Sequence, residues 1–235
     1  MKKKKIIMGV GTGILLAAVA FWGWHSTQAT STEITNEMES AMHNEPVGPA
    51  FEADSAYHYI EAQCSFGTRT MNSEAHEQCA EWIIEKFKAF GCQVSTQKAE
   101  LKGYDGTLLK ATNIMAQYKP EAQKRILLCA HWDSRPWADN DPDSTNWHKP
   151  VMAANDGASG VGVMFELARN LKALNPNVGI DFICFDSEDY GAPYWAGDKA
   201  PQDGSDWCLG SQYWAAHPHV PGYKAKFGIL LDMVG

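Results

Sequence analysis

The sequence predicts an α/β fold of three layers, in which helices cover both faces of a mixed, mainly parallel central sheet. From residue 125 onward, short apolar runs alternate with helical patterns, and this order favours parallel strands joined by right-handed crossovers. Two earlier runs flank a turn at residues 102–106 and are typical of an antiparallel strand pair. The 235 residues are enough for one sizeable hydrophobic core, and no repeat of solenoid length is present.

Each element follows from a local pattern. A helix is predicted over residues 73–90, because Ser73 is a suitable N-cap, apolar side chains recur at helical spacing and Gly91 follows as a stop. A second amphipathic pattern predicts a helix over residues 157–174. The predicted strands cover residues 93–101, 108–118, 125–130, 180–185 and 227–234, and a third helix covers residues 209–216.

The first 29 residues differ in character from the rest. A lysine cluster at residues 2–5 precedes an uncharged run over residues 6–24, and small residues follow, which is the layout of a secretory signal peptide. The run is also long enough for an uncleaved membrane anchor, since spanning takes about 17–25 residues. We therefore expect an exported protein that is periplasmic, secreted or anchored facing outside the cytoplasm. Residues 30–50 are interpreted as a polar linker and residues 51–235 as the folded domain.

Composition and motifs argue against several classes of function. The net charge of −8 does not suit nucleic-acid binding through phosphates. The six cysteines form no CxxC pair, which argues against a thiolate zinc site. The sequence also lacks GxSxG, the nucleophile motif of many serine hydrolases.

Acidic side chains and one histidine stand in or after the predicted core strands, or just before a helix. They are His131, Asp156, Glu188, Asp189 and Asp232. Because the carboxyl ends of parallel strands meet at one edge of a sheet, we expect these side chains to lie together. Imidazole nitrogen and carboxylate oxygen are the ligands that zinc accepts when thiolates are absent. The sequence therefore predicts a zinc site at this edge.

Each of these residues also has an ordinary structural interpretation. Asp156 could cap the helix that follows it, and Glu188 and Asp189 could be solvated loop charges. His131 could be a hydrogen-bonded histidine at a strand end. Asp232 is harder to explain in this way, because it interrupts an apolar run and a buried, unpaired carboxylate is costly. All of these interpretations must hold together to remove the site, so the zinc site is the preferred hypothesis.

Four motifs occur in the order found in the co-catalytic zinc aminopeptidase superfamily, which this sequence resembles. They are His131-Trp132-Asp133, Asn155-Asp156-Gly157-Ala158-Ser159-Gly160, Glu188-Asp189 and Leu230-Leu231-Asp232-Met233. Within the superfamily, the sequence is similar to the glutaminyl-peptide cyclotransferases, or glutaminyl cyclases. That closer similarity rests on His131-Trp132-Asp133-Ser134, Phe185-Asp186-Ser187-Glu188-Asp189, Tyr194-Trp195 and Leu209-Gly210-Ser211-Gln212-Tyr213.

The resemblance implies a zinc-aminopeptidase-like catalytic domain, with zinc as the cofactor and the amino termini of peptides or proteins as substrates. It implies that Asp156 and Asp189 are zinc ligands and that Glu188 is the general acid/base. In the two-metal peptidases, the residues matching His131 and Asp232 hold a second zinc ion. In the one-zinc cyclases, those two residues are hydrogen-bonding groups near the metal.

The resemblance also implies roles for substrate binding and a reaction. Asp232 would orient Glu188 or the reacting amide, and Trp195 would help to wall the substrate pocket. The implied reaction is zinc-dependent cyclisation of an N-terminal glutamine to pyroglutamate with release of ammonia. Hydrolysis of N-terminal residues by a zinc aminopeptidase is the alternative, and a binding module for peptide amino termini is the non-enzymatic one.

Both families take a further histidine ligand from a loop beyond the strand with which this sequence ends. His217 and His219 are interpreted as surface loop residues and do not suit that role. We therefore expect the sequence to be part of a longer protein, with the C-terminal part of the catalytic domain missing.

Overall fold

The structure is a computed structural model that describes residues 48–235. The predicted leader, residues 1–29, and nearly all of the predicted linker lie outside the described residues. The helices and strands are α1 (Ala53–Ser65), α2 (Glu74–Ala89), β1 (Gln93–Lys102), β2 (Leu108–Tyr118), β3 (Arg125–His131), α3 (Gly160–Leu174), β4 (Gly179–Phe185), α4 (Leu209–Ala216) and β5 (Gly228–Leu230). Within residues 48–235, none of the helices combines the length and apolar character needed to cross a bilayer.

The five strands form one mixed sheet in the order β1-β2-β4-β3-β5. β3 runs parallel to β4 and to β5, with Ala130 beside Cys184 and Cys129 beside Leu230. β1 and β2 form an antiparallel hairpin, and β2 also pairs antiparallel with β4. The mixed α/β sheet is therefore confirmed. The expectation that the sheet is mainly parallel is wrong, because β1 and β2 join it through antiparallel pairings and only β3–β4 and β3–β5 are parallel.

Side chains of the central strands alternate between two cores, because successive residues of a strand point to opposite faces. On one face, Phe182 of β4 lies in a core with Phe87 of α2 and Phe165 of α3. On the other face, Ile183 lies in a separate core with Trp214 of α4. Helices thus cover both faces of the sheet, which confirms the predicted three-layer arrangement.

The two N-terminal helices differ in how clearly the sequence encodes them. α2 begins after Ser73, as predicted, because the Ser73 hydroxyl accepts the backbone N–H of His76 at 3.1 Å. α1 is not evident from the sequence, since apolar spacing within it is weak and only Ala56 and Gln63 are buried. Its position depends instead on a long-range contact, in which the Gln63 amide donates to the carbonyl oxygen of Ala158 at 3.0 Å.

Two elements near the predicted site are shorter than the sequence suggests. α3 begins at Gly160 rather than at residue 157, because Asp156 and Gly157 adopt non-helical backbone angles. β5 covers Gly228–Leu230 instead of residues 227–234, and its residues are exposed rather than buried. β5 pairs with β3 on one side and with no described strand on the other, which makes it the edge strand of the sheet in the described residues.

All six cysteines are unpaired thiols in the structure. Burial raises the pKa of the Cys79 thiol to about 12 and that of Cys92 to about 11. Cys184 is fully buried in the core, and burial raises its pKa well above the usual value. These thiols pack as small hydrophobic side chains.

Candidate active site

His131, the last residue of β3, lies between carboxylates. Its side chain is 1% exposed, and its Nε2 atom lies 2.9 Å from Asp156 Oδ1 and 3.7 Å from Asp232 Oδ1. Its Nδ1 atom faces Asp133 Oδ1 at 3.4 Å. Burial alone lowers the pKa of His131, but the carboxylates of Asp133 and Asp156 outweigh it and raise the pKa well above the usual value.

Three of the predicted site residues form a tight group. His131, Asp156 and Asp232 each offer one ligand atom, and these atoms all lie within 4.8 Å of one another. The Asp156 and Asp232 side chains are 46% and 37% exposed, so the group opens to solvent. The expectation that Asp232 is a buried strand carboxylate is wrong, because β5 ends at Leu230 and Asp232 follows it in exposed chain.

Asp156 is placed by an irregular turn between Ala153 and α3. Ala153 adopts the left-handed conformation, with a φ of 57°. Gly157 has a φ of 105°, and a Cβ atom there would lie 2.8 Å from the carbonyl oxygen of Asp133. Glycine is therefore required at this position, both for its backbone angle and for the close approach of the two chain segments.

The loop after β4 brings Glu188 and Asp189 to the same edge of the sheet. Their backbone N–H groups donate to the Asp133 carboxylate at 3.0 and 3.1 Å. Asp133 thus contacts both His131 and this loop, which the sequence pattern did not reveal. Ser187 turns the chain with a φ of 54°.

The other end of this loop is fixed by a second buried carboxylate, Asp186. It accepts the backbone N–H of Thr112 at 2.6 Å and contacts His76 Nε2 at 2.9 and 3.0 Å. The His76 ring stacks on Trp132 at 4.3 Å. His76 lies on the buried face of an amphipathic helix, and a histidine at such a position is the sequence signal that could have identified this network.

Glu188 is half-buried among charged neighbours. Burial raises its pKa above the ordinary value; His131 opposes this shift, while the carboxylates of Asp133, Asp232 and Asp156 add to it. A carboxyl group with a raised pKa and partial access to solvent suits a general acid/base, because it holds a proton more readily than an ordinary glutamate does.

Asp189 is 7% exposed, and its Oδ2 atom has no hydrogen-bond partner within the described part of the chain. Burial, together with the carboxylates of Asp133, Asp156 and Glu188, raises its pKa to about 8. A cation would satisfy the free oxygen and favour the ionised carboxylate. The donor set therefore fits a divalent metal ion, although Asp189 contributes no atom to the tight group of His131, Asp156 and Asp232.

Trp195 lies in a cluster of aromatic residues on the short helical turn Tyr194–Lys199 and the preceding loops. Its ring is 42% exposed, stacks near Trp147 at 6.4 Å and lies 4.4 Å from His148. Trp137 lies 6.3 Å away and joins the cluster. The exposed ring is available to a ligand, whereas Trp132 is fully buried and belongs to the core.

Two other features lie apart from the group of His131, Asp156 and Asp232. The Trp214 indole donates to the His219 ring at 3.0 Å, and His217 is an exposed residue in the same region. A groove of about 710 Å³ lies between α2 and the β1–β2 hairpin, and none of the predicted site residues lines it. The chemistry of the donor groups, rather than the groove, therefore identifies the site.

Comparisons with known proteins agree with this geometry. The model of peptidase family M28 matches residues 113–235. The chain is 55% identical in sequence to a glutaminyl cyclase from Bacteroides thetaiotaomicron, which was solved as a crystal structure bound to N-acetylhistamine. The match covers 80% of this chain and 64% of that one, with a TM-score of 0.78. The chain is also 55% identical, with a TM-score of 0.78, to a leucine aminopeptidase precursor from Bacteroides thetaiotaomicron VPI-5482, over 81% and 64% of the two chains.

Among curated proteins, the chain is 30% identical over 164 residues to the uncharacterized protein YfbL of Escherichia coli K12. That match covers 70% of this chain and 43% of the relative. The chain thus spans less than half the length of this relative and less than two thirds of the two solved structures.

Proposed function

The chain belongs to peptidase family M28, and on that basis we propose that it is a zinc-dependent glutaminyl-peptide cyclotransferase. Its substrates would be peptides or proteins with an N-terminal glutamine, and its products pyroglutamate and ammonia. The observation that carries the proposal is the Asp186–Asp189 loop, which places a half-buried Glu188 beside the candidate metal residues. The 55% identity to a solved glutaminyl cyclase supports this activity.

The metal would be held by Asp156 and Asp189, with His131 and Asp232 beside it. Asp189 fits this role because its buried Oδ2 atom has no partner in residues 48–235. When bound, zinc supplies Lewis-acid polarisation of the side-chain amide carbonyl of the substrate. Asp133 fixes the site by contacting His131 and by accepting the backbone N–H of Asp189.

Glu188 would act on the protons of the reaction. It takes a proton from the α-amine as the amine attacks the side-chain amide, and it delivers a proton to the departing ammonia. Its raised pKa makes it a better base than an ordinary glutamate. Asp232 would orient Glu188 or the amide. Because the reaction is intramolecular, a wall such as Trp195 that keeps the glutamine folded would supply much of the rate.

Hydrolysis by a zinc aminopeptidase is the second candidate, and one observation favours it. The ligand atoms of His131, Asp156 and Asp232 lie within 4.8 Å of one another, which is close enough for a cation between them. Two metal positions in one site are typical of hydrolytic enzymes in which the metals share the developing charge. A leucine aminopeptidase precursor among the similar structures is consistent with this alternative.

The two candidates predict different products from different substrates. We would incubate the longest available form of the protein with zinc and with a Gln-initiated or a Leu-initiated peptide, and analyse both by mass spectrometry. A cyclase gives loss of ammonia from the Gln peptide. Release of free leucine without cyclisation would make the protein an aminopeptidase and would refute the cyclase.

Glu188→Gln tests the acid/base role in the same assay. We expect kcat for cyclisation to fall by at least about 100-fold, in line with the usual contribution of general acid/base catalysis. The matched control is Glu85→Gln, which removes an exposed carboxylate of α2 that pairs with Lys88. Full activity of Glu188→Gln would contradict the proposed role.

We also propose that the protein is exported, with residues 1–29 acting as a signal peptide or a membrane anchor. The basic cluster and the apolar run of the leader support this proposal. Cell fractionation of the full chain and of a chain lacking residues 1–29 would test it. The full chain should reach the periplasm, the medium or the membrane, and the shortened chain should stay in the cytoplasm. Equal distribution of both chains would refute export.

A further inference from the structure

Arg69, in the connection between α1 and α2, has a fully buried side chain. Its Nε donates to the carbonyl oxygen of Trp132 at 3.0 Å, Nη1 to that of Met152 at 3.1 Å and Nη2 to that of Ala153 at 2.8 Å. Its own carbonyl oxygen accepts the backbone N–H of Ser134 at 3.1 Å. All of these partners are main-chain groups, so the guanidinium binds two segments of backbone rather than an acidic side chain.

Those two segments carry two of the three residues of the candidate metal group. The first contains His131 and Asp133, and the second leads into Asp156. The two meet where His131 Nε2 and Asp156 Oδ1 lie 2.9 Å apart. We propose that Arg69 is a positioning residue that fixes the turn leading into Asp156 against the segment of Asp133, which in turn holds the backbone of Asp189, and thereby sets the affinity of the site for zinc. The inference rests on the zinc site of the proposed function and adds a residue that acts through others.

Arginine suits this role for a geometric reason. Its planar guanidinium presents several N–H donors in a fixed fork, whereas lysine offers a compact ammonium at the end of a flexible stem. Burying a charge is costly unless its hydrogen bonds are made, so the hydrogen bonds of the guanidinium must offset the cost of burying Arg69. One of these hydrogen bonds goes to the carbonyl oxygen of Ala153, a non-glycine residue in the unfavourable left-handed conformation. Arg69 thereby helps to stabilise that conformation.

The test compares charge-preserving substitutions of two arginines, the fully buried Arg69 and the partly buried Arg125. Arg69→Lys replaces the planar guanidinium next to the site with an ammonium group. Arg125→Lys is the matched control, because Arg125 also donates to main-chain carbonyls and to Asp181, but from the first residue of β3. His131 is the last residue of that strand, roughly 20 Å away. Zinc dissociation constants would be measured on metal-free full-chain protein by competition with a chromogenic chelator, with thermal unfolding recorded in parallel.

We expect Arg69→Lys to weaken zinc binding by about 10–100-fold, the usual effect of losing a residue that orients metal ligands. Arg125→Lys should lower the unfolding temperature while leaving zinc affinity close to that of the wild type. Equal zinc affinities for the two variants would overturn the proposal, because Arg69 would then act on stability alone.

A second substitution gives a rescue and guards against a variant that does not fold. Glycine adopts the left-handed conformation freely, so Ala153→Gly removes one reason for the Arg69 contact. The double variant Arg69→Lys/Ala153→Gly should recover part of the lost zinc affinity. If Arg69→Lys gives no folded protein, Ala153→Gly alone must bind zinc at least as tightly as the wild type. Weaker binding by Ala153→Gly would contradict the proposal.

These measurements are independent of the reaction. Zinc affinity is recorded without substrate, so a protein that binds zinc and does not cyclise glutamine would refute the proposed function and leave the role of Arg69 standing. If the protein cyclises glutamine and its Arg69→Lys variant binds zinc as tightly as the wild type, the proposed function stands and the role of Arg69 is refuted.

Discussion

Two buried carboxylates hold the loop that bears Glu188, one at each side. Asp133 accepts the backbone N–H groups of Glu188 and Asp189, and Asp186 accepts that of Thr112 while pairing with His76. Burial raises the pKa of Asp133, but hydrogen bonds from His131 and from the loop outweigh it and lower the pKa. Asp133 therefore stays ionised and remains an acceptor for the loop at neutral pH.

The pairing of His76 with Asp186 should be important for stability. In His76→Phe the ring can still stack on Trp132, but the Asp186 carboxylate loses its buried partner. We expect the free energy of unfolding at neutral pH to fall by about 1–3 kcal/mol, the usual cost of leaving a buried polar group without one of its hydrogen-bond partners. Urea unfolding followed by circular dichroism would measure the change.

The matched control for His76→Phe is His58→Phe, which alters a solvent-exposed histidine of α1. Surface substitutions of this kind change stability by less than about 0.5 kcal/mol. Equal unfolding free energies for the two variants would mean that the His76–Asp186 pair contributes nothing to the fold.

Among the elements, β3 and β4 carry stabilising contacts near their first residues and candidate site residues at or just after their last residues. At their starts, Arg125 pairs with Asp181 at 2.6 Å, and Gln117 and Tyr223 also donate to Asp181. At the other end of β3 stands His131. Burial alone raises the pKa of Asp181, but the hydrogen bonds from Arg125, Tyr223 and Gln117 lower it below the usual value.

This lowered pKa gives Asp181 a pH-dependent contribution to stability. Folding favours the ionised carboxylate, so the contribution is present above the unfolded pKa of about 3.9 and is lost as the pH falls through the lower folded value. We expect Asp181→Asn to be less stable than the wild type at pH 7 by about 3–5 kcal/mol. The difference should shrink as the pH falls below about 4.

Urea unfolding of wild type and Asp181→Asn at pH 7 and at pH 3 would check this expectation. Asp198→Asn is a suitable control, because Asp198 is exposed. A stability difference between wild type and Asp181→Asn that is the same at both pH values would show that charge at Asp181 is not the cause.

The elements that the sequence predicts well are those with a strong local pattern. α2 has a capping serine and a regular apolar face, and β3 and β4 are continuous apolar runs. α1 has neither feature. Its position is set by contacts with α3 and with the turn that precedes α3. β5 has the apolar pattern of a buried strand, but within residues 48–235 it pairs with β3 alone, which a local pattern cannot reveal.

The same distinction applies to the site. Parallel pairing of β3 with its neighbours is enough to predict that His131 lies near Asp156 and Asp232, since strand ends converge. The supporting contacts of Arg69 and His76 join residues more than 60 positions apart in sequence. No periodicity encodes such contacts, so they become visible only in the folded chain.

At the scale of the whole molecule, the proposed metal ligands are far apart in sequence and come together only on folding. Zinc should therefore bind the folded state and not the unfolded one, and it should raise the unfolding temperature. Free zinc at 1,000 times its dissociation constant adds about 4 kcal/mol, which corresponds to a rise of roughly 10 °C for a domain of this size.

Thermal unfolding with zinc and with a chelator would measure this shift. Asp189→Asn should lose most of it, because the amide replaces the buried carboxylate oxygen that has no partner in the described residues. Magnesium should not reproduce the shift, since a site of imidazole and carboxylate donors favours zinc over magnesium. An unfolding temperature that is the same with zinc and with chelator would refute a metal site in this fold.

The unpaired thiols bear on the proposed export, because exported proteins meet an oxidising medium. Only the thiolate form attacks disulfides and oxidants at an appreciable rate. At pH 7, a thiol with a pKa of about 11, such as Cys92 or Cys129, is ionised in only about one molecule in 10,000. Burial therefore slows the oxidation and disulfide exchange of these two thiols.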